Sequence, residues 1–217
     1  MKKTLLTCAL FFMALLATAQ PTWEQLGGVY YAYPERSGAD FRVPEGFRPF
    51  YISHYGRHGS RWLTSDSRYE WVNSQFADKR NLTPLGREVA KRLRKIWRNA
   101  KGNGGKLTPL GARQHSGIAY RMAQAYPSVF ANRPVVRACS STSDRCRKSM
   151  EAAFRTFLAL PNGFLVVCKT DSADMAWIAY NSPEEQRLTA ATKVVARVTP
   201  DRFLKALFRD PAKVADG

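Results

Sequence analysis

Histidine is scarce in this chain, with His54, His58 and His115 the only 3 among 217 residues. Acidic residues are also few, 17 against 34 lysines and arginines, leaving a formal charge of +17. The 4 cysteines fit no zinc-ligand spacing. No long Lys/Arg run and no aromatic RNA-binding motif occurs, and no apolar run is long enough to span a bilayer comfortably. These absences argue against a zinc module, a nucleic-acid-binding arm and a stable membrane span. What is present is a surplus of basic residues occurring singly, which suits a small, highly charged anionic partner better than nucleic acid.

The N-terminus reads as a targeting segment. Lys2 and Lys3 precede an apolar run over residues 5–16, and Ala17-Thr18-Ala19 forms a small-residue cleavage site ahead of Gln20. A signal peptide is therefore expected over residues 1–19, with the product periplasmic or secreted. A lipoprotein signal through Leu5-Leu6-Thr7-Cys8 is disfavoured, because Cys8 lies inside the apolar run rather than after it. Cleavage would remove two lysines and no acid, taking the formal charge from +17 to +15. Cys139, Cys146 and Cys168 would remain. Export permits a disulfide, but three thiols leave the pairing open: one bridge and a free thiol, or a bridge to a cysteine outside this chain.

The chain is organised around residues 50–63, FYISHYGRHGSRWL. The apolar and aromatic run over residues 47–55 predicts a central strand of an α/β sheet, covered on both faces and ended by Gly56. Its C-terminal end would present His58, where open α/β sheets place their ligands. Imidazole can attack phosphorus and carry the phosphoryl group, and the guanidinium forks of Arg57 and Arg61 match phosphate oxygens. Both cations disfavour a charged imidazole, and Gly59 would let the backbone approach an anion.

Elsewhere the pattern alternates helices with strands. Residues 27–34 read as extended or irregular. Leu82-Thr83-Pro84-Leu85-Gly86 and Leu107-Thr108-Pro109-Leu110-Gly111 each start a helix, with threonine as N-cap and proline first. Leu85, Val89, Leu93, Ile96 and Trp97 mark the first apolar face, and Leu110, Ile118, Met122 and Tyr126 the second. Residues 101–106 form a surface loop between them, and His115 is expected as a packed, hydrogen-bonded helical residue. Strands are expected over residues 134–139 and 164–169. Between them, Ser143 or Asp144 caps a helix carrying Met150, Phe154 and Phe157 on one side. The serine-rich turn with Arg145 in the first turn of that helix has the makings of an anion site. After residue 170 the character turns helical, with starts at Ser182 and at Thr199-Pro200. A domain boundary is expected there, followed by a helix burying Phe203, Leu204, Leu207 and Phe208.

Three ordered blocks carry a family resemblance: Arg57-His58-Gly59-x-Arg61, then Leu107-Thr-Pro-Leu-Gly111 leading to Gln114-His115, then Arg137-Ala-Cys-Ser-Ser-Thr-Ser-Asp-Arg145-Cys146 followed by Ser149. Together these resemble the histidine acid phosphatase branch of the histidine phosphatase superfamily, and within it the multiple inositol polyphosphate phosphatases. The resemblance implies a phosphoglycerate-mutase-like three-layer α/β domain over residues 20–170, incomplete here, with the start of an inserted helical cap domain over residues 171–217. It implies that His58 is the nucleophile of a phosphohistidine mechanism, that Arg57, Arg61 and Arg145 bind the transferring phosphate, and that no metal or other cofactor takes part. Substrates would be inositol polyphosphates such as phytate, and also bisphosphoglycerate.

One feature of that family is missing. Its proton donor comes from a late His-Asp or His-Ala-Glu motif, whereas His54, His58 and His115 are followed by Tyr55, Gly59 and Ser116. The expectation is an N-terminal half of a phosphatase, inactive alone. Three other readings stay open: a sister histidine phosphatase acting as a mutase or on sugar phosphates, a non-catalytic module binding phosphate or polyanions through the arginines, and, ranked last, nucleic-acid binding through general charge.

Overall fold

The computed structural model describes residues 25–34, 43–131, 134–161, 164–178, 182–192 and 200–214; the expected signal peptide lies outside them. Two compact units divide after Glu35. In the first, Gln25–Tyr30 form a 3-10 helix where residues 27–30 were expected as extended or irregular, residues 31–34 are irregular as expected, and Leu26, Tyr30 and Tyr31 are exposed.

The second unit contains helices α1 (Asp66–Gln75), α2 (Pro84–Ala100), α3 (Pro109–Ala125) and the short α4 (Pro127–Phe130). Strand β1 (Val135–Ser140), helix α5 (Asp144–Leu158) and strand β2 (Leu165–Thr170) follow. Then come α6 (Met175–Ile178), α7 (Pro183–Ala191) and α8 (Asp201–Leu207). β1 and β2 pair in parallel with Val135 opposite Leu165 and Ser140 opposite Thr170, so α5 is the crossover of a β-α-β unit. This is the α/β class expected, and both strands fall within a residue of their expected places.

Cap chemistry sets the helix starts. Thr83 Oγ1 accepts from the Gly86 amide, Thr108 Oγ1 from Gly111 and Ser182 Oγ from Glu185. Ser143 occupies the N-cap position of α5 with no side-chain cap bond; its carbonyl instead accepts from the Arg147 and Cys146 amides.

Two hydrophobic clusters hold the unit together. Phe130, Phe157 and Phe164 pack with ring centroids 5.5–5.8 Å apart, joined by Ala119, Met122, Val136 and Val166, and so tie α3, α5 and the sheet. Small buried Ala119 on α3 packs in the cluster with Phe157 of α5, and Ser116 Oγ donates to the Ala152 carbonyl at 3.1 Å. The second cluster joins Phe76, Leu82, Ala90, Leu207 and Phe208. There α8 lies against α2 so closely that a Cβ on Gly86 would sit 2.0 Å from the Leu207 carbonyl oxygen.

Three details differ from expectation. Residues 47–55 are not a strand: they pair with no described strand, and Phe50 is 90% exposed. A strand needs a ladder partner as well as apolar composition. This run has only point contacts, such as Ser128 Oγ donating to the Pro49 carbonyl and Ile52 reaching the aromatic cluster. On α2 the buried stripe is Gly86, Ala90 and Ala100 with Leu93 and Trp97 beside it, while Leu85 and Ile96 are exposed. Close helix contact selects small residues, which turns the larger apolar side chains outward. Leu207 at the end of α8 and Phe208 just after it are buried, and Phe203 is exposed.

Cys139, Cys146 and Cys168 are free thiols. Among the described residues no helix is long and apolar enough to cross a membrane.

Candidate active site

The loop Arg57-His58-Gly59-Ser60-Arg61 crosses the N-terminal ends of α3 and α5, and its backbone is tied to both. The Gly59 amide donates to Ser149 Oγ at 3.1 Å, whose own hydroxyl donates to the Arg145 carbonyl at 2.8 Å. The Ser60 amide donates to Oε1 of buried Gln114 at 2.8 Å. The Ser60 carbonyl accepts from both the amide and the hydroxyl of Thr108, at 2.9 and 2.8 Å. His115 Nε2 donates to the Arg57 carbonyl at 3.1 Å. A loop whose polar backbone groups are met so completely has little freedom to move.

Glycine makes the crossing possible. A Cβ on Gly59 would lie 2.3 Å from the Gly111 carbonyl oxygen, and one on Gly111 would lie 2.3 Å from the Ser60 carbonyl oxygen. Close approach of an anion was the expected use of Gly59. In the structure its bare Cα accommodates the α3 backbone instead. The other flank is held by residues 61–66. Arg61 and Leu107 form an isolated antiparallel bridge, the Trp62 amide donates to the Lys106 carbonyl, and the Asp66 carboxylate accepts from the Gly102 and Gly104 amides at 2.6 and 2.8 Å. Gly102 and Gly105 take positive φ, 78° and 76°, to form that loop.

His58 is half-buried, and its Nδ1 lies 2.8 Å from the Gly59 carbonyl oxygen. A carbonyl only accepts, so Nδ1 carries the hydrogen. The neutral ring therefore presents a lone pair at Nε2. Burial lowers the His58 pKa most; the Gly59 hydrogen bond opposes this, and the nearby charges of Arg145, Arg57 and Arg61 lower it further. The structure thus brings together all four expected site residues, three from the loop and Arg145 from the first turn of α5. Burial, which outweighs the arginines in keeping His58 neutral, was absent from the sequence expectation.

The three arginines have no acidic partners among the described residues. Arg61 donates to the Trp62 carbonyl at 2.7 Å, and Arg145 Nε is enclosed with no hydrogen-bond partner. Neighbouring carboxylates are engaged elsewhere: Asp144 with Arg147 and Lys148, at 2.7 and 2.8 Å, and Glu151 with Arg147 at 3.0 Å. The result is a local excess of positive charge around an unprotonated imidazole nitrogen, chemistry suited to a tetrahedral oxyanion. His115, expected as a packed helical histidine, is one, and burial lowers its pKa most. Gln114 and Ser149 had no expected role and Thr108 was expected only as a helix N-cap; their sequence signal at the site was their place within the motif blocks. Among the described residues no group of His, Cys, Asp and Glu could hold a metal ion.

No protein-family model matches the chain, and no curated protein matches it. Solved structures do. Crystal structures of the Bifidobacterium longum multiple inositol polyphosphate phosphatase are similar in fold. The complex with phosphate superposes with a TM-score of 0.55 over 83% of this chain and 48% of that one, at 20% identity. The complex with inositol hexasulfate gives 0.52 over 79% and 45%, also at 20% identity. The chain described here therefore has the α/β fold of these phosphatase structures and spans about half their length.

Proposed function

We propose that these residues supply the nucleophile and phosphate clamp of an exported phosphomonoesterase, periplasmic or secreted, that hydrolyses inositol polyphosphates and also accepts bisphosphoglycerate. The observation that carries this reading is His58 held with Nδ1–H on the Gly59 carbonyl and Nε2 free, amid Arg57, Arg61 and Arg145, which have no acidic partners among the described residues. In this reading Nε2 attacks phosphorus and forms a phosphohistidine, which water then hydrolyses. The guanidinium groups bind the phosphoryl oxygens and stabilise the charge that develops on them. The similarity to inositol polyphosphate phosphatase structures supports the substrate class, as does the +17 charge. In this reading no described residue is assigned as proton donor for an inositol alkoxide, and residues 171–217 are read as the start of a helical cap.

One observation favours a second reading, a phosphate-binding module without turnover: no described carboxylate acts on His58. The two are separated by reading binding with inositol hexakisphosphate and phosphate release with 4-nitrophenyl phosphate, whose leaving group needs no positioned acid. The phosphatase reading expects release that disappears in His58→Ala and binding that weakens in Arg145→Ala. Release unchanged in His58→Ala would sink it, while saturable binding without release would favour the module.

A further inference from the structure

Most hydrogen-bonding side chains described around the loop of residues 57–61 are committed, and the charge of exposed His54 acts on His115 and is not among those acting on His58. Thr108 donates its hydroxyl to the Ser60 carbonyl and accepts from the Gly111 amide, and Ser149 donates to the Arg145 carbonyl and accepts from the Gly59 amide. His115 Nε2–H is given to the Arg57 carbonyl; burial lowers its pKa most, that hydrogen bond opposes the shift, and the charges of His54 and His58 lower it further. Asp144 and Glu151, the acids on the first two turns of α5, are held by Arg147, Lys148 and Arg155. Asp66 accepts from the Gly102 and Gly104 amides. The charges acting on His58 are those of Arg145, Arg57 and Arg61, with no carboxylate among them.

Among the described residues such a site can attack phosphorus but places no acid beside what leaves. We infer that the described residues form a phosphoryl-transfer site matched to donors whose leaving group departs as a stable anion, aryl and acyl phosphates, and mismatched to alkyl phosphate esters such as those of an inositol ring. This rests on the reading of His58 as nucleophile and refines the expectation of an inactive chain: inactivity would apply to alkyl esters. The step balances without an acid. The Nε2 lone pair forms the N–P bond while the P–O bond breaks, and its electron pair leaves on the phenolate or carboxylate oxygen. Nδ1–H stays on the Gly59 carbonyl. Water then attacks phosphorus, the N–P electron pair returns to Nε2, and the water proton passes to phosphate or solvent.

The test is turnover of a series of aryl phosphates by the 217-residue chain, from 4-nitrophenyl phosphate to phenyl phosphate, alongside inositol hexakisphosphate. A positioned acid contributes on the order of 10²- to 10⁴-fold in rate, so inositol hexakisphosphate should be slower than 4-nitrophenyl phosphate by about that factor. Rates should also fall steeply as the leaving phenol becomes a weaker acid. His58→Ala should abolish aryl turnover, while its circular dichroism spectrum matches that of the parent. His58-dependent turnover with a flat dependence on the leaving group, and inositol hexakisphosphate within about tenfold of 4-nitrophenyl phosphate, would overturn this inference alone. If no aryl phosphate reacts, or if His58→Ala reacts equally well, the nucleophile reading fails and the inference falls with it. His115→Gln serves as a control: selective loss of alkyl turnover in that variant would identify His115 as an acid and also overturn the inference.

Discussion

Replacing Gly111 by alanine sets two physical effects against each other. Gly111 lies in the first turn of α3, and helix propensity alone would favour alanine by about 0.8–1.0 kcal/mol. The structure predicts the opposite sign. The new Cβ would fall 2.3 Å from the Ser60 carbonyl oxygen, 2.8 Å from the Ser60 nitrogen and 2.7 Å from Leu107 Cδ1, and two of these are backbone atoms that cannot swing aside. Overpacking of this kind costs about 1–3 kcal/mol, and shifting the loop also strains bonds worth about 1 kcal/mol each, among them Thr108 to Ser60. Net destabilisation of about 2 kcal/mol is expected, or a Tm lower by about 4–8 °C for a domain of this size. Affinity for inorganic phosphate should fall as well, because the displaced loop carries Arg57, His58 and Arg61. Two controls isolate the cause. Gly117→Ala meets only the far end of the flexible Arg121 side chain, at 3.0 Å, and should be neutral or stabilising. Gly86→Ala meets the Leu207 carbonyl oxygen at 2.0 Å and should lower Tm while leaving phosphate affinity unchanged. Urea or thermal melts with phosphate titrations read all three. A Gly111→Ala protein as stable as its parent, with unchanged phosphate affinity, would refute the tight crossing.

Ser149→Ala leaves the Gly59 amide without its acceptor and should lower stability by about 1–3 kcal/mol, read by denaturant melts with a matching drop in Gly59 amide protection on hydrogen exchange. Asp66→Ala removes the acceptor for the Gly102 and Gly104 amides; faster exchange at both and a loss of about 1–3 kcal/mol are expected, and unchanged exchange would show the carboxylate to be idle. The folded-state pKa values of His58 and His115 lie below their unfolded value of 6.5, so the unfolded chain binds more protons as pH falls through that value. Their penalty is absent well above pH 6.5 and grows below it until the folded-state groups also protonate, so stability rises with pH across this window. NMR titration of the two imidazoles should place both midpoints below 6.5, and a His58 midpoint above it would contradict the site as described.

Local chemistry made much of the fold legible. Thr83, Thr108 and Ser182 mark helix starts because a side-chain oxygen three residues before an orphan amide is a local arrangement, and β1, α5 and β2 follow from periodicity. Failures came where distant groups decide. The apolar composition of residues 47–55 resembles a strand, but pairing depends on a neighbour, and none is found among the described residues. Leu85 and Ile96 read as core, yet close packing of α2 favours Gly86, Ala90 and Ala100. At the site, the arginines around His58 were readable from their chemistry. The use of Gly59 against Gly111, and the burial of His58, depend on where α3 sits, a position set by contacts across dozens of residues.

The central claim is that His58 Nε2 accepts a phosphoryl group. The direct measurement is to incubate the 217-residue chain with 4-nitrophenyl phosphate, quench in alkali where an imidazole phosphorus-nitrogen bond survives, and map the modified peptide by mass spectrometry. A single phosphoryl adduct on His58, lost on acid treatment, absent in His58→Ala and reduced in Arg145→Ala, is predicted. An unmodified His58, or an adduct on His54, His115 or Ser60 instead, would contradict it.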